Sequence, residues 1–305
     1  MAIPSKSVAL TIIIQLCLVS CMSSQQQETE FLHHGFSKPI YSIRILQDPP
    51  KWHLGANKQL KETNGSSLPW LPIPFNNPNN SSNSLSFSTS FVFSINAPGH
   101  GLTFMISPSM DFTRAMPSQF LGLFNSSNNG NSTNRILAVE FDTVKSNEFL
   151  DIDGNHVGID LNGLVSVESA PAALKLSSTD PIRAWIEYNG EEMLLNVTLA
   201  PLDISKPKFP LLSRKMNLSE TFNEKMYVGF SASTGNISSD HYVIGWSFSR
   251  EGKAKDFDLT LLPSVSPSDS DEFDPISSPS DSGTLNSKLT KLIIVCAFAA
   301  MLFII

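Results

Sequence analysis

Residues 86–95 read Ser-Phe-Ser-Thr-Ser-Phe-Val-Phe-Ser-Ile, and this alternation decides the fold class. Four large apolar side chains share one face of such an extended chain: Phe87, Phe91, Phe93 and Ile95. The same period of two recurs at residues 192–199 and 242–248, and Asn189-Gly190 marks a hairpin turn. No long stretch of the sequence shows helical periodicity. The sequence therefore predicts an all-β protein, built as a sandwich of two large antiparallel sheets.

Composition and charge exclude several classes of protein. The 305 residues are 41% hydrophobic and 16% charged, which is ample for a self-sufficient core. With 28 acidic and 21 basic side chains, the net charge of −7 lacks the basic footprint that nucleic acid requires, so we expect no nucleic-acid partner. The three cysteines, Cys17, Cys21 and Cys296, lie in or beside apolar terminal segments. A disulfide scaffold, a zinc finger and a thiol nucleophile are therefore excluded for the region between them.

The amino terminus is typical of a secretory signal peptide. Residues 1–24 combine Lys6, an apolar run and small residues around a candidate cleavage site. Export is also favoured by Asn-x-Ser/Thr sequons, which predict glycosylation. These sequons lie at Asn64, Asn79, Asn80, Asn125, Asn131, Asn196, Asn217 and Asn236. Residues 25–263 then form the single predicted domain.

The carboxyl-terminal part of the chain predicts a tether to a membrane. Residues 264–291 are rich in serine, proline and acidic side chains, and we interpret them as an extended stalk. Residues 292–305 are wholly apolar, but as a helix they would span only about 21 Å of a hydrocarbon core of about 30 Å. They are either a lipid-anchor signal or a short transmembrane span. Both interpretations take the domain through the secretory pathway to the outer side of the plasma membrane.

One predicted strand carries two acidic side chains that point the same way. Residues 137–143 read Leu-Ala-Val-Glu-Phe-Asp-Thr, so Glu140 and Asp142 share a face. Like charges this close raise each other's pKa unless a cation neutralises them. Downstream, Asp151 and His156 add a carboxylate and an imidazole, a combination of ligands that suits Ca²⁺ or Mn²⁺. An acidic surface loop without a metal is the alternative.

Several ordered motifs carry a resemblance to a known family. They are Gly101-Leu102-Thr103-Phe104, Leu121-Gly122-Leu123-Phe124-Asn125, Val139-Glu140-Phe141-Asp142-Thr143, His156-Val157-Gly158-Ile159-Asp160 and Val228-Gly229-Phe230-Ser231-Ala232-Ser233-Thr234-Gly235. In these motifs the chain closely resembles the legume (L-type) lectins, in particular the extracellular lectin module of plant lectin receptor kinases. The resemblance implies a concanavalin A-like jelly-roll sandwich. Because the sequence has no kinase Gly-rich loop, catalytic Asp loop or magnesium-binding triplet, it resembles the lectin module alone.

The resemblance also implies a site for two metal ions. In these lectins a transition metal such as Mn²⁺ is held by a Glu, two Asp and a His, which correspond to Glu140, Asp142, Asp151 and His156. Asp153 is the alternative to Asp151. Calcium is held by the same Asp pair, a backbone carbonyl and an Asn, and the last two correspond to Val144 and Asn147. If the loop aligns without a gap, Ser146 takes the Asn position.

The positions that contact sugar in the family differ in this chain. The carbohydrate-binding Asp corresponds to His100, the backbone-donating Gly corresponds to Gln119, and the specificity loop carries Asn236. Asn147 would serve the sugar as well as calcium. Neutral imidazole cannot replace a carboxylate that accepts two sugar hydroxyls, so we expect the monosaccharide recognition of seed lectins to be lost. A glycan on the sequon at Asn236 would stand over the same surface.

These observations favour a non-enzymatic cell-surface module that binds carbohydrate, on a free glycan or on a glycoprotein. The alternative is a degenerate lectin-fold module that recognises a protein, a peptide or an apolar ligand without binding sugar. A glycoside hydrolase of the same sandwich type is excluded, because the motif that begins at Glu140 has Lys145 where the second carboxyl group must stand. A homodimer and a receptor-kinase partner are both compatible with the sequence.

Overall fold

The computed structural model describes residues 30–34, 43–45, 72–74, 85–223, 225–235, 239–250 and 252–263. The strands formed by these residues lie in two antiparallel sheets, so the predicted all-β architecture is confirmed. Among the same residues, no helix is long and apolar enough to cross a membrane. The predicted signal peptide (1–24), stalk (264–291) and anchor segment (292–305) lie outside the described residues.

The larger sheet has seven strands. They are β1 (Glu30–His33), β2 (Ile43–Ile45), β4 (Phe87–Asn96), β9 (Ile182–Asn189), β10 (Leu194–Pro201), β11 (Leu212–Lys215) and β13 (Asp240–Ser249). Their order is β1-β13-β4-β9-β10-β11, and β2 pairs with the other half of β13. The turn predicted at Asn189-Gly190 connects β9 to β10.

The smaller sheet has six strands, which lie in the spatial order β3-β12-β5-β6-β7-β8. They are β3 (Pro72–Pro74), β5 (Gly101–Ser107), β6 (Leu137–Asp142), β7 (His156–Leu161), β8 (Glu168–Pro171) and β12 (Lys225–Ser233). Short 3₁₀-helices lie in the connections and after the last strand, at Ser118–Phe120, Ser132–Asn134, Asn147–Phe149, Leu218–Glu220 and Leu259–Leu261.

The main core lies between the two sheets and is rich in aromatic rings. Phe91 on β4 contacts the rings of Phe104 and Phe230 on the opposite sheet, with centroids 6.0 Å and 4.9 Å away. Trp246 on β13 lies 4.8 Å from Phe230, and its indole Nε1 donates to Thr89 Oγ1 at 2.9 Å. The indole can therefore be buried without an unpaired donor. This packing explains why alternate residues of β4 are aromatic.

A second apolar cluster covers the outer face of the smaller sheet. Met105 on β5 and Ala138 on β6 point away from the main core and contact the long connection between these two strands. That connection contributes Phe112, Phe120, Leu121 and Phe124, and Phe149 joins them from the loop after β6. The cluster therefore holds the helices Ser118–Phe120 and Asn147–Phe149 at one end of the sandwich.

The last described segment, residues 252–263, packs on the outer face of the larger sheet. Phe257 forms a buried cluster there with Val92 of β4 and Ile244 of β13. Arg183 of β9 places its guanidinium 4.9 Å from the centroid of the Phe257 ring and pairs with Asp256 at 2.6 Å. The segment is thus packed against the larger sheet and belongs to the folded domain.

We predict that Phe257→Ala lowers the free energy of unfolding by about 3 kcal/mol, because it leaves a cavity between residues 252–263 and the larger sheet. The matched control is Phe209→Ala, because the side chain of Phe209 is 77% exposed, and this change costs less than about 0.5 kcal/mol. Urea denaturation of both variants measures the difference. Equal effects would contradict the docking of the segment.

Candidate functional site

Three of the predicted metal ligands meet where β6 ends and β7 begins. Glu140 and Asp142 are alternate residues at the end of β6, and His156 begins β7 directly opposite Asp142. One ligand atom from each of the three lies within 4.8 Å of the others, and all three side chains are buried. Gly158 leaves the room that they need, since a Cβ there would lie 2.5 Å from Glu140 Oε1. The antiparallel register of two strands therefore builds this cluster.

The imidazole of His156 is held in one orientation. Its Nδ1 lies 2.9 Å from the backbone carbonyl oxygen of Asp153, and because a carbonyl only accepts, Nδ1 donates. The other nitrogen, Nε2, then faces Glu140 Oε1 at 3.3 Å and Asp151 Oδ1 at 4.0 Å. A histidine whose second nitrogen donates to a carbonyl has the usual arrangement of a metal ligand.

The structure distinguishes Asp151 from its alternative, Asp153. The side chain of Asp151 is 5% exposed, and its Oδ1 faces the same nitrogen of His156 as Glu140 does. The side chain of Asp153 is 42% exposed, and its carboxylate lies nearer His156 Nδ1. That nitrogen already donates to the backbone carbonyl of Asp153. Asp151 therefore lies beside the cluster, 4.0 Å from His156 Nε2, and the backbone carbonyl of Asp153 orients the imidazole.

Ser146 and Asn147 also occupy different environments. Ser146 is buried, and its backbone N–H donates to Asp151 Oδ2 at 2.5 Å. Asn147 is exposed at the start of the helix Asn147–Phe149. Val144 lies nearer the cluster, since its N–H donates to Asp142 Oδ1 at 2.6 Å. The residue that the loop places against the carboxylates is Ser146, whereas the side chain of Asn147 faces solvent.

Burial makes these carboxyl groups difficult to ionise without a cation. Burial, followed by the charge of Glu140, raises the pKa of Asp142 to about 8. Burial also raises the pKa of Asp151. Burial alone would lower the pKa of His156, but its hydrogen bond to Glu140 and the charges of the carboxylates outweigh that effect and raise this pKa to about 9. The cluster therefore holds protons at neutral pH that a metal ion would displace.

Two further polar residues support Glu140, and sequence reasoning missed both. Ser166 Oγ lies 2.8 Å from Glu140 Oε1 and 2.8 Å from Asp160 Oδ1. Burial is the main cause that raises the pKa of Asp160 well above its ordinary value, followed by the charge of Glu140. Strand alternation carries a signal for Asp160, which shares a face of β7 with His156. Ser166 lies on the following loop and has no such signal.

His100 lies at the same end of the sandwich, immediately before β5. Its backbone carbonyl accepts from the N–H of Thr143, one residue beyond the metal-ligand strand. Burial lowers the pKa of His100, so the ring is neutral at physiological pH. A Cβ on Gly235 would lie 2.6 Å from His100 Nε2, so the loop after β12 approaches the imidazole closely. Asn236, the next residue of that loop, lies outside the described residues.

Gln119 is occupied by a contact within the protein. Its side-chain Nε2 donates to Glu148 Oε1 at 2.6 Å, which connects the helix Ser118–Phe120 to the helix Asn147–Phe149. The neighbouring N–H of Ser118 donates to the carbonyl of Thr234 at 3.2 Å. The structure therefore brings together the loops that carry Gln119, Glu148 and Thr234, and we call the loops of Gln119 and Thr234 the ligand-side loops. The side-chain amide of Gln119 is directed to Glu148.

The described sequons fall into two groups. In three of them the asparagine Oδ1 accepts from the hydroxyl of the sequon Ser or Thr, at 2.6 to 2.8 Å: Asn125, Asn131 and Asn217. Asn196 differs, because it lies within β10 between two neighbouring strands and its Oδ1 is buried. The remaining predicted sites, Asn64, Asn79, Asn80 and Asn236, lie outside the described residues.

The chemistry of the cluster fits the metals that the sequence predicted. Two carboxyl groups and one imidazole nitrogen meet within 4.8 Å of one another, and Asp151 Oδ1 lies 4.0 Å from His156 Nε2. Carboxylate and imidazole donors suit Mn²⁺. The carboxylates of Asp142 and Asp151, with a backbone carbonyl of the same loop, suit Ca²⁺, which prefers oxygen. The raised pKa of Asp142 is the sign of a carboxyl group that lacks a compensating cation in the protein alone.

Comparisons with known sequences agree with this geometry. The family model described as "Legume lectin domain" matches residues 51–264. The chain is 55% identical over 284 residues to the Arabidopsis thaliana protein named "Probable inactive L-type lectin-domain containing receptor kinase III.1", covering 85% of this chain and 44% of that protein. It is 44% identical over 210 residues to the rice (Oryza sativa subsp. japonica) "L-type lectin-domain containing receptor kinase SIT2", covering 64% of this chain and 31% of that protein. The chain thus spans less than half the length of these relatives.

Comparisons with solved structures give the same fold. Lectin II from Ulex europaeus is similar with a TM-score of 0.57 at 23% identity, over 73% of this chain and 99% of that chain. The lectin from Bauhinia forficata in complex with GalNAc is similar with a TM-score of 0.53 at 26% identity, over 74% of this chain and 93% of that chain. The predicted jelly-roll sandwich is confirmed.

We predict that the metal-free protein loses stability as the pH rises from about 6 to about 9. The pKa values of Asp142 and His156 are raised to about 8 and about 9, so the native state binds protons more tightly than the unfolded chain. That stabilisation is complete in acid and disappears as the pH rises through these values. Urea denaturation in chelator measures the trend.

Two comparisons make this pH dependence specific to the cluster. Asp142→Asn should make the decrease with pH smaller, because the amide does not titrate and only the contribution of His156 remains. Saturating Mn²⁺ and Ca²⁺ should reverse it, because fewer protons compete with the metals at high pH. A metal-free stability that increases from pH 6 to pH 9 would contradict the assignment of these pKa values.

Proposed function

The chain belongs to the legume lectin family, and from that premise we propose that it is a non-enzymatic carbohydrate-recognition module displayed on the outside of the cell. The observation that carries the proposal is the buried cluster of Glu140, Asp142 and His156, which lies at the same end of the sandwich as His100. A cation there would fix the loop after β6 beside the surface that receives a ligand.

We propose that Mn²⁺ is held by Glu140, Asp142, Asp151 and His156. Ca²⁺ would be held by the two aspartates, the backbone carbonyl of Val144 and Ser146. We favour Ser146 over Asn147 for this last position because Ser146 is buried against Asp151, whereas Asn147 is exposed. When bound, the ions neutralise the buried carboxylates and order the loop that joins them. Hydrogen bonds within the protein orient the metal-ligating side chains, since Ser166 donates to Glu140 and the backbone carbonyl of Asp153 accepts from His156.

The ligand is proposed to be a glycan or glycoprotein rather than a simple hexose. His100 is neutral and offers at most one acceptor nitrogen where the family's carboxylate offers two oxygens. Gln119 places a side chain, bonded to Glu148, where the family has a glycine. These two departures also favour the second candidate function, recognition of a protein, peptide or apolar ligand by a lectin fold without sugar binding.

Absence of catalysis is supported by Lys145. A retaining hydrolase needs a second carboxyl group at this place on the motif, and the ammonium of Lys145 instead donates to the backbone carbonyl of Ile152 at 3.3 Å. Because the sequence relatives are receptor kinases, we propose that the module works at the plasma membrane beside a receptor-kinase partner or as a homodimer. Glycosylation at Asn131 and Asn217 fits this location, since both side chains are exposed.

A glycan array tests the proposed function directly. We predict that the wild type in Ca²⁺ and Mn²⁺ binds at least one class of complex glycan, that chelator abolishes the signal, and that Asp142→Asn abolishes it even with metal present. Lys175→Ala, at the exposed end of another loop, is the matched control and should bind normally. A wild type that binds no glycan in metal but captures a peptide or protein ligand would support the second candidate instead.

We also predict that His100→Asp creates measurable calcium-dependent binding of mannose or galactose. The new carboxylate adds a charge-assisted hydrogen bond, which corresponds to roughly a tenfold to hundredfold gain in affinity. His100→Asn is the matched control, because it changes the ring to a small neutral amide and should gain much less. Titration calorimetry distinguishes the two variants. A tight monosaccharide complex of the wild type would contradict this interpretation of His100.

A further inference from the structure

The two short helices at the ligand end of the sandwich contact each other side by side. Gln119 and Phe120 on the first helix meet Glu148 and Phe149 on the second. The amide of Gln119 donates to the Glu148 carboxylate at 2.6 Å, and the rings of Phe120 and Phe149 meet edge to face with centroids 5.3 Å apart. The rings are buried in the second apolar cluster, whereas the Gln119–Glu148 bond lies at the surface.

The second helix is directly attached to the metal-ligand loop. Ser146 precedes it, and its carbonyl accepts from the N–H of Phe149 at 3.0 Å while its own N–H donates to Asp151 Oδ2 at 2.5 Å. The helix ends at Leu150, whose φ of 65° lies in the left-handed region that branched side chains seldom adopt. Asp151 therefore contacts Ser146, the residue before the helix, through both its carboxylate and its backbone N–H.

The first helix is attached to the other loops of the ligand side. The N–H of Ser118 donates to the carbonyl of Thr234 at 3.2 Å. A Cβ on Gly235 would lie 2.8 Å from Ser118 Oγ and 2.6 Å from His100 Nε2, so these three residues pack closely. A movement of the first helix therefore changes the surroundings of His100.

We infer that Gln119 is a positioning residue that couples the metal-ligand loop to the ligand-side loops through Glu148. This inference rests on the proposed metal site. A cation that orders Asp151 orders Ser146 and the helix Asn147–Phe149, and the charge-assisted bond from Gln119 passes this order to the helix Ser118–Phe120. Gln119 thus acts through its side-chain amide on Glu148, whereas the sugar contact that the sequence suggested for this position would use its backbone N–H.

The aromatic contact alone does not supply this coupling. Edge-to-face rings tolerate small sliding movements, because dispersion and apolar burial are not directional. A hydrogen bond between a planar amide and a carboxylate loses its energy steeply when distance or angle changes. The Gln119–Glu148 bond is therefore the directional connection between the two helices.

Hydrogen–deuterium exchange of the full domain, with Mn²⁺ and Ca²⁺ or with chelator, tests the inference. In the wild type, metal should slow exchange at residues 146–151 and also at residues 118–123. In Gln119→Leu the slower exchange at residues 146–151 should remain. The metal-dependent protection of residues 118–123 should decrease by roughly twofold to fivefold, the factor that a solvent-exposed charged contact corresponds to. The readout is the difference in exchange rate between metal and chelator for each variant. A general loss of stability changes both rates and therefore does not produce the same result.

Variants of Glu148 provide the controls. Glu148→Ala should uncouple the helices as Gln119→Leu does, and the double variant should add nothing further. Glu148→Gln keeps an acceptor oxygen and should retain most of the coupling. Glu191→Ala removes an exposed acid at the opposite end of the sandwich and should behave as the wild type.

Two results would overturn the inference, and they are distinguishable. If residues 118–123 remain as metal-sensitive in Gln119→Leu as in the wild type, the coupling by Gln119 is refuted while the metal site stands. If metal leaves residues 146–151 unchanged in the wild type, the proposed metal site is itself refuted, and the coupling is refuted with it.

Discussion

The burial of like-charged carboxyl groups at the end of β6 is the constraint on which this end of the protein depends. Glu140 and Asp142 are removed from water and point to the same side, where their repulsion is strong because the local dielectric is low. Protons relieve that repulsion in the protein alone, and a divalent cation bound there would relieve it as well. The hydroxyl of Ser166, which also contacts Asp160, holds Glu140 without adding charge.

The sandwich supports this cluster from two sides. The aromatic core around Phe91 fixes the spacing of the sheets, and the antiparallel register sets His156 opposite Asp142. On the outer face, the second apolar cluster holds Phe120 and Phe149, so the loops that surround the carboxylates rest on packed rings. The strands therefore fix the metal-ligating side chains. The order of the surrounding loops depends on whether those side chains bind protons or a cation.

The fold followed from the sequence because strand alternation repeats over many residues. The period of two at residues 86–95 correctly placed Phe91 and Phe93 in the core. The same period at residues 137–143 put Glu140 and Asp142 on one face. Boundaries were less certain, since the strand expected at residues 192–199 is observed as Leu194–Pro201. The turn after Asn189 contains four residues rather than the two that Asn-Gly suggested, and the strand begins later.

The site was only partly predictable because much of it depends on contacts between distant loops. Local spacing left Asp151 and Asp153 as alternatives. They differ only in three dimensions, by the nitrogen of the His156 ring that each one faces. The bond between Gln119 and Glu148 joins residues 29 apart in the chain, and no sequence pattern indicates it. The contact of Ser166 is also hidden in the sequence, because Ser166 lies on the loop after β7 and reaches Glu140 on β6.

We propose that a metal ion occupies the cluster between β6 and β7. The most direct measurement is anomalous X-ray scattering at the manganese edge, from crystals grown with Mn²⁺ and Ca²⁺. Our account predicts one strong anomalous peak within bonding distance of Glu140, Asp142, Asp151 and His156, and its loss in crystals of Asp142→Asn. Wild-type crystals without a peak among these four side chains would contradict the account.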